Sequence, residues 1–256
     1  MVWILLIFLL ASGLIFVLPG RIKSYKAFIL ALVQLIAFVF FALQIPQVIS
    51  GQTLSVYNEW LPELGLNFKL LLDGLSMVFA LLITGIGALV FTYARPYMKS
   101  YVGTDKFFMY LMLFSGAMLG LVLSDNLVLL FIFWELTSFL SFFLISFFHE
   151  KDSARNAAFQ SLYITGLGGL AMLTGIILLG NVVGSYSISE WIASADTLKE
   201  SKLYLPGLLL ILVGAFTKSA QFPFHFWLPG AMQAPAPVSS YLHSATMVKA
   251  GIFLLA

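Results

Sequence analysis

The chain has 256 residues, of which 61% are hydrophobic, 16% aromatic and only 9% charged, against roughly 25% charged in an average soluble domain. So few charges cannot cover a water-facing surface, which makes this an integral membrane protein. A formal net charge of +2 gives no electrostatic footprint for nucleic acid, and the absence of cysteine excludes disulfides, thiolate metal sites, thiol nucleophiles and cysteine-held iron–sulfur clusters within the chain.

Apolar runs of about 20 residues predict eight membrane spans, near 2–19, 27–49, 70–94, 107–123, 127–148, 159–183, 204–226 and 236–256. The runs are rich in Leu, Ile, Phe and Gly without the alternation of a barrel strand, so the expected fold is an all-α polytopic helix bundle. No basic residue precedes the first run, MVWILLIFLLASGLIFVLPG, which reads as a retained helix and not as a secretory signal. The loops after the first, third and fifth spans carry Arg21, Lys23, Lys26, Arg95, Lys99, Lys106, Lys151 and Arg155, whereas those after the second, fourth and sixth carry only Lys69, Lys199 and Lys202. The positive-inside rule therefore puts the first set in the cytoplasm and the amino terminus outside a plasma membrane that the chain crosses many times.

The outer loops GQTLSVYNEWLPELGLNF and SYSISEWIASADTLKESK are expected to hold short interfacial helices, with Trp60 and Trp191 at headgroup level. Gly116 and Gly120 have the spacing of a close helix contact. At the other end, GIFLLA stops at Ala256 with no polar flank or basic anchor, which predicts that a longer polypeptide continues beyond it.

Among the charged residues, Glu135, Lys218 and Lys249 fall well inside predicted spans, and Asp73 and Asp125 near span ends. An ionisable group at such depth costs roughly 2.5–3.5 kcal/mol on insertion scales and is kept where it meets a partner or water. Glu135 is followed by Ser138 and Ser141 on neighbouring parts of one helix face. Lys218 is followed five residues later by Pro223, whose ring clashes with the carbonyl of Ser219, so the seventh span is expected to kink or break beside the lysine. Lysine suits a relay because its charge state responds to burial and to a neighbouring carboxylate, whereas arginine stays charged. In the eighth span, His243 and Lys249 are neighbours at different depths on a polar side that includes Ser239, Ser240, Ser244 and Thr246. They do not share the face of a metal-ligand pair. His225, seven residues after Lys218, would share its face in a straight helix, and His149 falls in a basic loop.

The stretches LLDGLSM (71–77), SDNLVLLFIFWELTSFLSFFLIS (124–146) and GAFTKSAQFPFHFWLPGAMQAPAPVSSYLHSATMVKAG (214–251) resemble the large antiporter-like subunits shared by the Mrp multisubunit sodium/proton antiporters and respiratory NADH:quinone oxidoreductase. The likeness runs over nearly the whole chain and favours the amino-terminal part of the Mrp A subunit. It implies a fold with two inverted five-helix repeats, of which this chain supplies helices one to three (1–106) and the first repeat, helices four to eight (107–256), with helix seven broken. It also implies that Glu135 and Lys218 are the central proton-handling pair and that His243 and Lys249 extend the same polar axis; the lysine in MVKAG favours the antiporter. Asp73 and Asp125 match acidic positions whose role the resemblance leaves unassigned. Gly230 and Ala236 depart from the family's usual aspartate and threonine.

What the resemblance implies is a secondary-transport subunit, not an enzyme, that exchanges cytoplasmic Na+ for external H+ with other subunits of a hetero-oligomeric membrane complex. It implies no organic cofactor and no bound metal. Two other readings stay open: a proton-pumping subunit of a respiratory NADH:quinone oxidoreductase, and a non-conducting scaffold whose buried charges only pair helices.

Overall fold

The computed structural model describes residues 1–18, 23–61, 66–244 and 246–256. Arg21, one of the basic loop residues, lies outside them. The elements run α1 Val2–Val17, α2 Lys23–Leu43, α3 Ile45–Ile49, β1 Leu54–Leu61, β2 Leu66–Leu72, α4 Gly74–Tyr97, α5 Thr104–Leu123, α6 Leu127–Ile145, α7 Asp152–Val183, α8 Ile188–Ala193, α9 Ala195–Glu200, α10 Tyr204–Lys218, α11 Trp227–Ala231, α12 Ala236–Ser244 and α13 Met247–Leu255. Five helical stretches, Tyr25–Ile49, Gly74–Tyr97, Thr104–Leu123, Leu127–Phe148 and Asp152–Val183, are long and apolar enough to cross a membrane; α1 and α10 are shorter apolar helices.

The expected helical bundle is what forms, with α5 at its middle, packed on α1, α4, α6 and α13. Phe107, Leu111, Phe114, Met118 and Leu121 of α5 are buried, while Leu10, Leu89 and Leu167 on outer helices stay exposed, as lipid-facing residues do. The paired glycines of α5 serve two different neighbours: a side chain at Gly116 would press on Phe8 of α1, and one at Gly120 on Phe133 of α6.

Caps fix several boundaries. Asp73 accepts from the Ser76 amide at 2.8 Å while the Asp73 amide donates to the Ser76 hydroxyl at 2.8 Å, a reciprocal box that starts α4. Asn126 accepts from the amides of Val128 and Leu129 to start α6. Gly184, at φ +77, closes α7 in the left-handed conformation that suits glycine.

Four expectations need correction. The first of the loops expected outside holds an antiparallel hairpin in place of an interfacial helix: β1 and β2 pair with Tyr57 opposite Lys69, because LSVYNEWL and LNFKLLL carry alternating, β-prone residues. The third span consequently begins at Gly74, since residues 70–72 belong to β2. The seventh does break beside Lys218 as expected, but its helix ends there, eight residues before the expected span end, and the chain turns through Ala220 (φ 51) before the five-residue α11. The eighth is broken as well, with Thr246 at φ −129 and ψ −89 between α12 and α13. No proline marks that second break; the Thr246 hydroxyl donates to the Tyr241 carbonyl at 2.7 Å and so satisfies an acceptor at the end of α12. The second of the loops expected outside does form short helices, α8 and α9, with Trp191 in α8.

The even- and odd-numbered loops gather at opposite ends of the bundle. At one end Lys26 bonds the Ile15 carbonyl at 2.6 Å and Asp105 at 2.9 Å, and Arg95 lies 5.5 Å from the Tyr25 ring centroid. At the other, the hairpin meets the segments around Asp125 and Ser187 through bridges at Leu70–Ser124 and Asn126–Ser187.

Candidate functional site

Lys218 is fully buried, with 0% exposure, at the last position of α10. Fifteen residues of helix reach about 22 Å, less than a bilayer core of about 30 Å, so the lysine terminates a half-helix inside the bundle. Its ammonium donates to the Trp134 carbonyl at 2.9 Å and to the Ser138 hydroxyl at 2.6 Å, and lies 5.2 Å from the Trp134 ring centroid. Both acceptors belong to α6 and bracket Glu135 along that helix.

Glu135 and Lys218 are brought together without touching. Lys218 reaches the turn of α6 that carries Glu135, yet no nitrogen–oxygen contact within 4.0 Å joins the two; ion pairs of that kind among the described residues are Lys26–Asp105, Lys69–Asp125, Arg155–Asp152 and Lys199–Asp196. Glu135 is half-buried, and its Oε1 is enclosed with no hydrogen-bond partner among the described residues. A lysine ammonium has three N–H donors, of which two are used here. The ammonium and the carboxylate thus share one turn of α6 without a direct ion pair.

Helix α7 makes room for it. A Cβ at Gly169 would collide with Glu135 Oε1, and one at Gly168 with the Thr217 side chain next to Lys218. Further along, Gly214 sits against Met172 and the Gly168 carbonyl, and Gly207 against Leu179, so α7 and α10 cross backbone to backbone. The site therefore needs Trp134, Ser138, Gly168, Gly169 and Thr217 as well as the charged residues. Of these the sequence pattern singled out only Ser138; the signal for the glycines was present in TGLGG (165–169), where small residues cluster in a span without an ionisable group.

The break itself is held from two sides. Trp227, buried in α11, donates its indole N–H to the Thr217 carbonyl at 2.9 Å and caps the carboxyl end of α10. The Ser219 hydroxyl donates to the Val248 carbonyl at 2.8 Å, and a side chain at Gly251 would collide with Ser219 and Ala215, so the break is stitched to α13. Lys249 follows Val248 directly and is partly buried, and its side chain has no ion-pair or hydrogen-bond partner among the described residues. His243 in α12 is partly buried; both ring nitrogens are enclosed and lack protein partners among the described residues.

Four further positions have separate fates. His225 is exposed and stacked on Phe222 at 5.9 Å, away from Lys218, because the helix that would have aligned them ends at Lys218. Pro223 is likewise exposed and follows the break by five residues. Asp73 is the cap of α4. Asp125, 2% exposed, pairs with Lys69 at 2.7 Å and accepts from the Ser189 amide and hydroxyl at 3.0 and 2.8 Å, clamping the hairpin and α8 to the start of α6. Among the described residues no cluster of three or more His, Asp or Glu side chains could hold a metal ion.

These features define a multi-pass helical membrane protein with a buried lysine at the end of a broken helix, bonded to the helix turn that carries a glutamate. Residues 124–256, just over half of the chain, match the family model described as NADH:quinone oxidoreductase/Mrp antiporter, TM, and residues 60–108 match that of NADH-Ubiquinone oxidoreductase (complex I), chain 5 N-terminus. The chain belongs to the NADH:quinone oxidoreductase/Mrp antiporter transmembrane family. It is 54% identical over 223 residues to a Rhizobium meliloti protein named as a probable K(+)/H(+) antiporter A/B subunit, covering 87% of this chain and 22% of that one. Over 224 residues it is 52% identical to the Na(+)/H(+) antiporter A1 subunit of Staphylococcus haemolyticus, covering 88% and 28%. The chain thus spans about a quarter of the length of these curated relatives. The Mrp complex from Dietzia sp. DQ12-45-1b superposes with a TM-score of 0.86 at 34% identity over 99% of this chain and 27% of that one. A chain of the archaeal membrane-bound sulfane sulfur reductase shares the fold, with a TM-score of 0.82 at 21% identity over 98% and 50%.

Proposed function

We propose that this chain is the proton-handling part of one subunit of a multisubunit monovalent cation/proton antiporter, exchanging cytoplasmic Na+ for external H+ at the expense of the proton-motive force. The observation that carries the reading is Lys218: a fully buried ammonium at the end of a half-helix, bonded to α6 on both sides of Glu135. A passive anchor has no use for a charge held at such cost, and broken helices beside ionisable groups are how membrane proteins build ion sites.

In this reading Glu135 and Lys218 form the first switchable pair. A proton reaching Glu135 weakens its attraction for the ammonium, and Lys218 then passes charge toward His243 and Lys249 through the two breaks that Ser219 and Val248 join. The unpartnered Glu135 Oε1 and His243 nitrogens are the points where water would complete hydrogen bonds along that route. Residues 1–106 frame the route and residues 107–256 carry it. Other subunits of a membrane complex surround it, and the amino terminus lies outside.

The relatives' names support exchange in place of redox pumping, and they divide between potassium and sodium; K+ is accordingly the second cation to test. The test uses the full complex in everted vesicles with a pH-sensitive dye. Added Na+ or K+ should move protons in the parent and not in Lys218→Ala at equal expression. A parent that ignores both cations but acidifies with NADH would instead be a respiratory pump, and a Lys218→Ala variant as active as its parent would make the lysine structural.

A further inference from the structure

The basic end of the bundle contains a cavity of about 640 Å³, within the roughly 300–1,000 Å³ of ligand pockets, formed where the α4–α5 and α6–α7 connections meet. Its wall is aromatic. Tyr110 and Phe143 stack at 4.8 Å and 11°, Phe107 meets Phe147 edge-on at 5.3 Å, and Tyr101 leans on Phe148 at 5.4 Å. The lining is also basic: Lys106 and Lys151 contribute to it with His149, against the single acid Glu150. Asp105, the nearest carboxylate in sequence to Lys106, is taken by the buried Lys26 at 2.9 Å. Asp152 is taken by Arg155. Among the described residues neither Lys106 nor Lys151 has a carboxylate within 4.0 Å; the Lys151 ammonium instead lies 5.2 Å from the Phe148 ring centroid.

The level of the cavity matters as much as its lining. Helix α5 begins at Thr104 and α6 ends at Ile145, so the site straddles the ends of two membrane-length helices, at the depth where headgroups lie. Beside it the apolar Val102 is 94% exposed, and Phe143 is 43% exposed. Aromatic rings together with ammonium groups that have no carboxylate within 4.0 Å match an amphiphile with an anionic head, and a free phosphate ion would leave the aromatic wall unused. Lysine is an established phosphate ligand as a point charge, and basic pockets between membrane helices take anionic lipid heads.

We propose that this cavity binds one anionic phospholipid, with its phosphate at Lys106 and Lys151 and its acyl chains against Tyr110 and Phe143. The site is separate from the Glu135–Lys218 pair and contains no residue assigned to proton transfer.

The test uses the intact purified complex, stripped stepwise with detergent and followed by native mass spectrometry, first in phosphatidylglycerol and then in phosphatidylcholine. The Lys106→Ala/Lys151→Ala double variant should retain its most tightly held phosphatidylglycerol about ten- to thirty-fold more weakly than the parent, from roughly a factor of five per lysine. Phosphatidylcholine should show no such difference. Tyr110→Leu, which keeps both charges, should weaken retention less, and a double variant that does not assemble is replaced by the two single variants. Equal retention in parent and charge variants, or equal retention of the zwitterionic lipid, overturns the proposal. So does a bifunctional crosslink from Lys106→Cys to another subunit in most complexes, which would make the cavity a protein contact.

Discussion

The Ser138 hydroxyl accepts a hydrogen bond from Lys218 at 2.6 Å, and through it a residue in the middle of α6 fixes where the carboxyl end of α10 places its charge. Hydrogen bonds to charged groups contribute about 1.5–3 kcal/mol when buried. Ser138→Ala should therefore cut cation-driven proton movement by about ten-fold or more without reducing assembly of the complex, and Ser138→Thr, which keeps the hydroxyl, should recover most of it. Dye quenching in everted vesicles, with complex content measured on the same membranes, separates the two effects.

Gly168 and Gly169 should fail in different ways. A methyl group at Gly169 meets the far end of a flexible side chain, Glu135 Oε1. Gly169→Ala is then expected to turn Glu135 aside, lowering transport in complexes that assemble normally. At Gly168 the methyl meets Thr217 on α10, where two helices already touch. Gly168→Ala should cost about 1–3 kcal/mol of packing, visible as a lower thermal midpoint of the purified complex.

Asp125 tests the distinction between a clamp and a pathway residue. Asp125→Ala strands the Lys69 ammonium and removes the acceptor for Ser187 and Ser189. Breaking a buried pair costs about 3–5 kcal/mol, and because Lys69 keeps 25% exposure the loss should lie near or below the lower figure. Thermal unfolding should report it, while transport per assembled complex changes less than two-fold. A larger loss of transport would place Asp125 in the pathway.

Much of this was legible in the sequence, and the reasons are particular. Glu135 and Lys218 stood out because charge in an apolar span has few explanations, and apolar length alone located the spans. What the sequence hid depends on tertiary contacts. The break beside Lys218 was expected from Pro223, but the cap that Trp227 sets on α10, ten residues along the chain from the Thr217 carbonyl, was not, and the break in α12–α13 rests on a threonine hydroxyl, not on a proline. Asp73 and Asp125, near span ends, had no role assigned from the sequence because a cap and a clamp differ from a relay only in their partners. The hairpin was missed because hydropathy merged residues 70–72 with the helix behind them.

Another buried group invites a stability measurement. Tyr241 donates to the Ile83 carbonyl at 2.8 Å and shares a hydrogen bond with Ser115 at 2.6 Å, which in turn accepts from Gln34 at 2.7 Å. All three side chains are fully buried, and the chain of bonds ties α12 to α2, α4 and α5. Tyr241→Phe should lose about 1–3 kcal/mol by removing both hydrogen bonds of the buried hydroxyl, while Ser115 keeps its bond from Gln34, again read from thermal unfolding.

Topology can be read directly because the chain has no cysteine of its own. Lys151→Cys should react with an impermeant maleimide only from the cytoplasmic face, and Glu190→Cys in α8 only from outside. The reverse pattern would invert the orientation argued from the basic loops.

The most direct test of the coupled pair is a double-mutant cycle on transport with Glu135→Asp and Lys218→Arg, conservative changes chosen to leave residual activity. If the two residues act as one unit, the double variant should lose about as much as the worse single variant, since residues in one mechanism are not additive. If the two losses simply multiply, Glu135 and Lys218 work independently, and the pairing drawn between them is wrong.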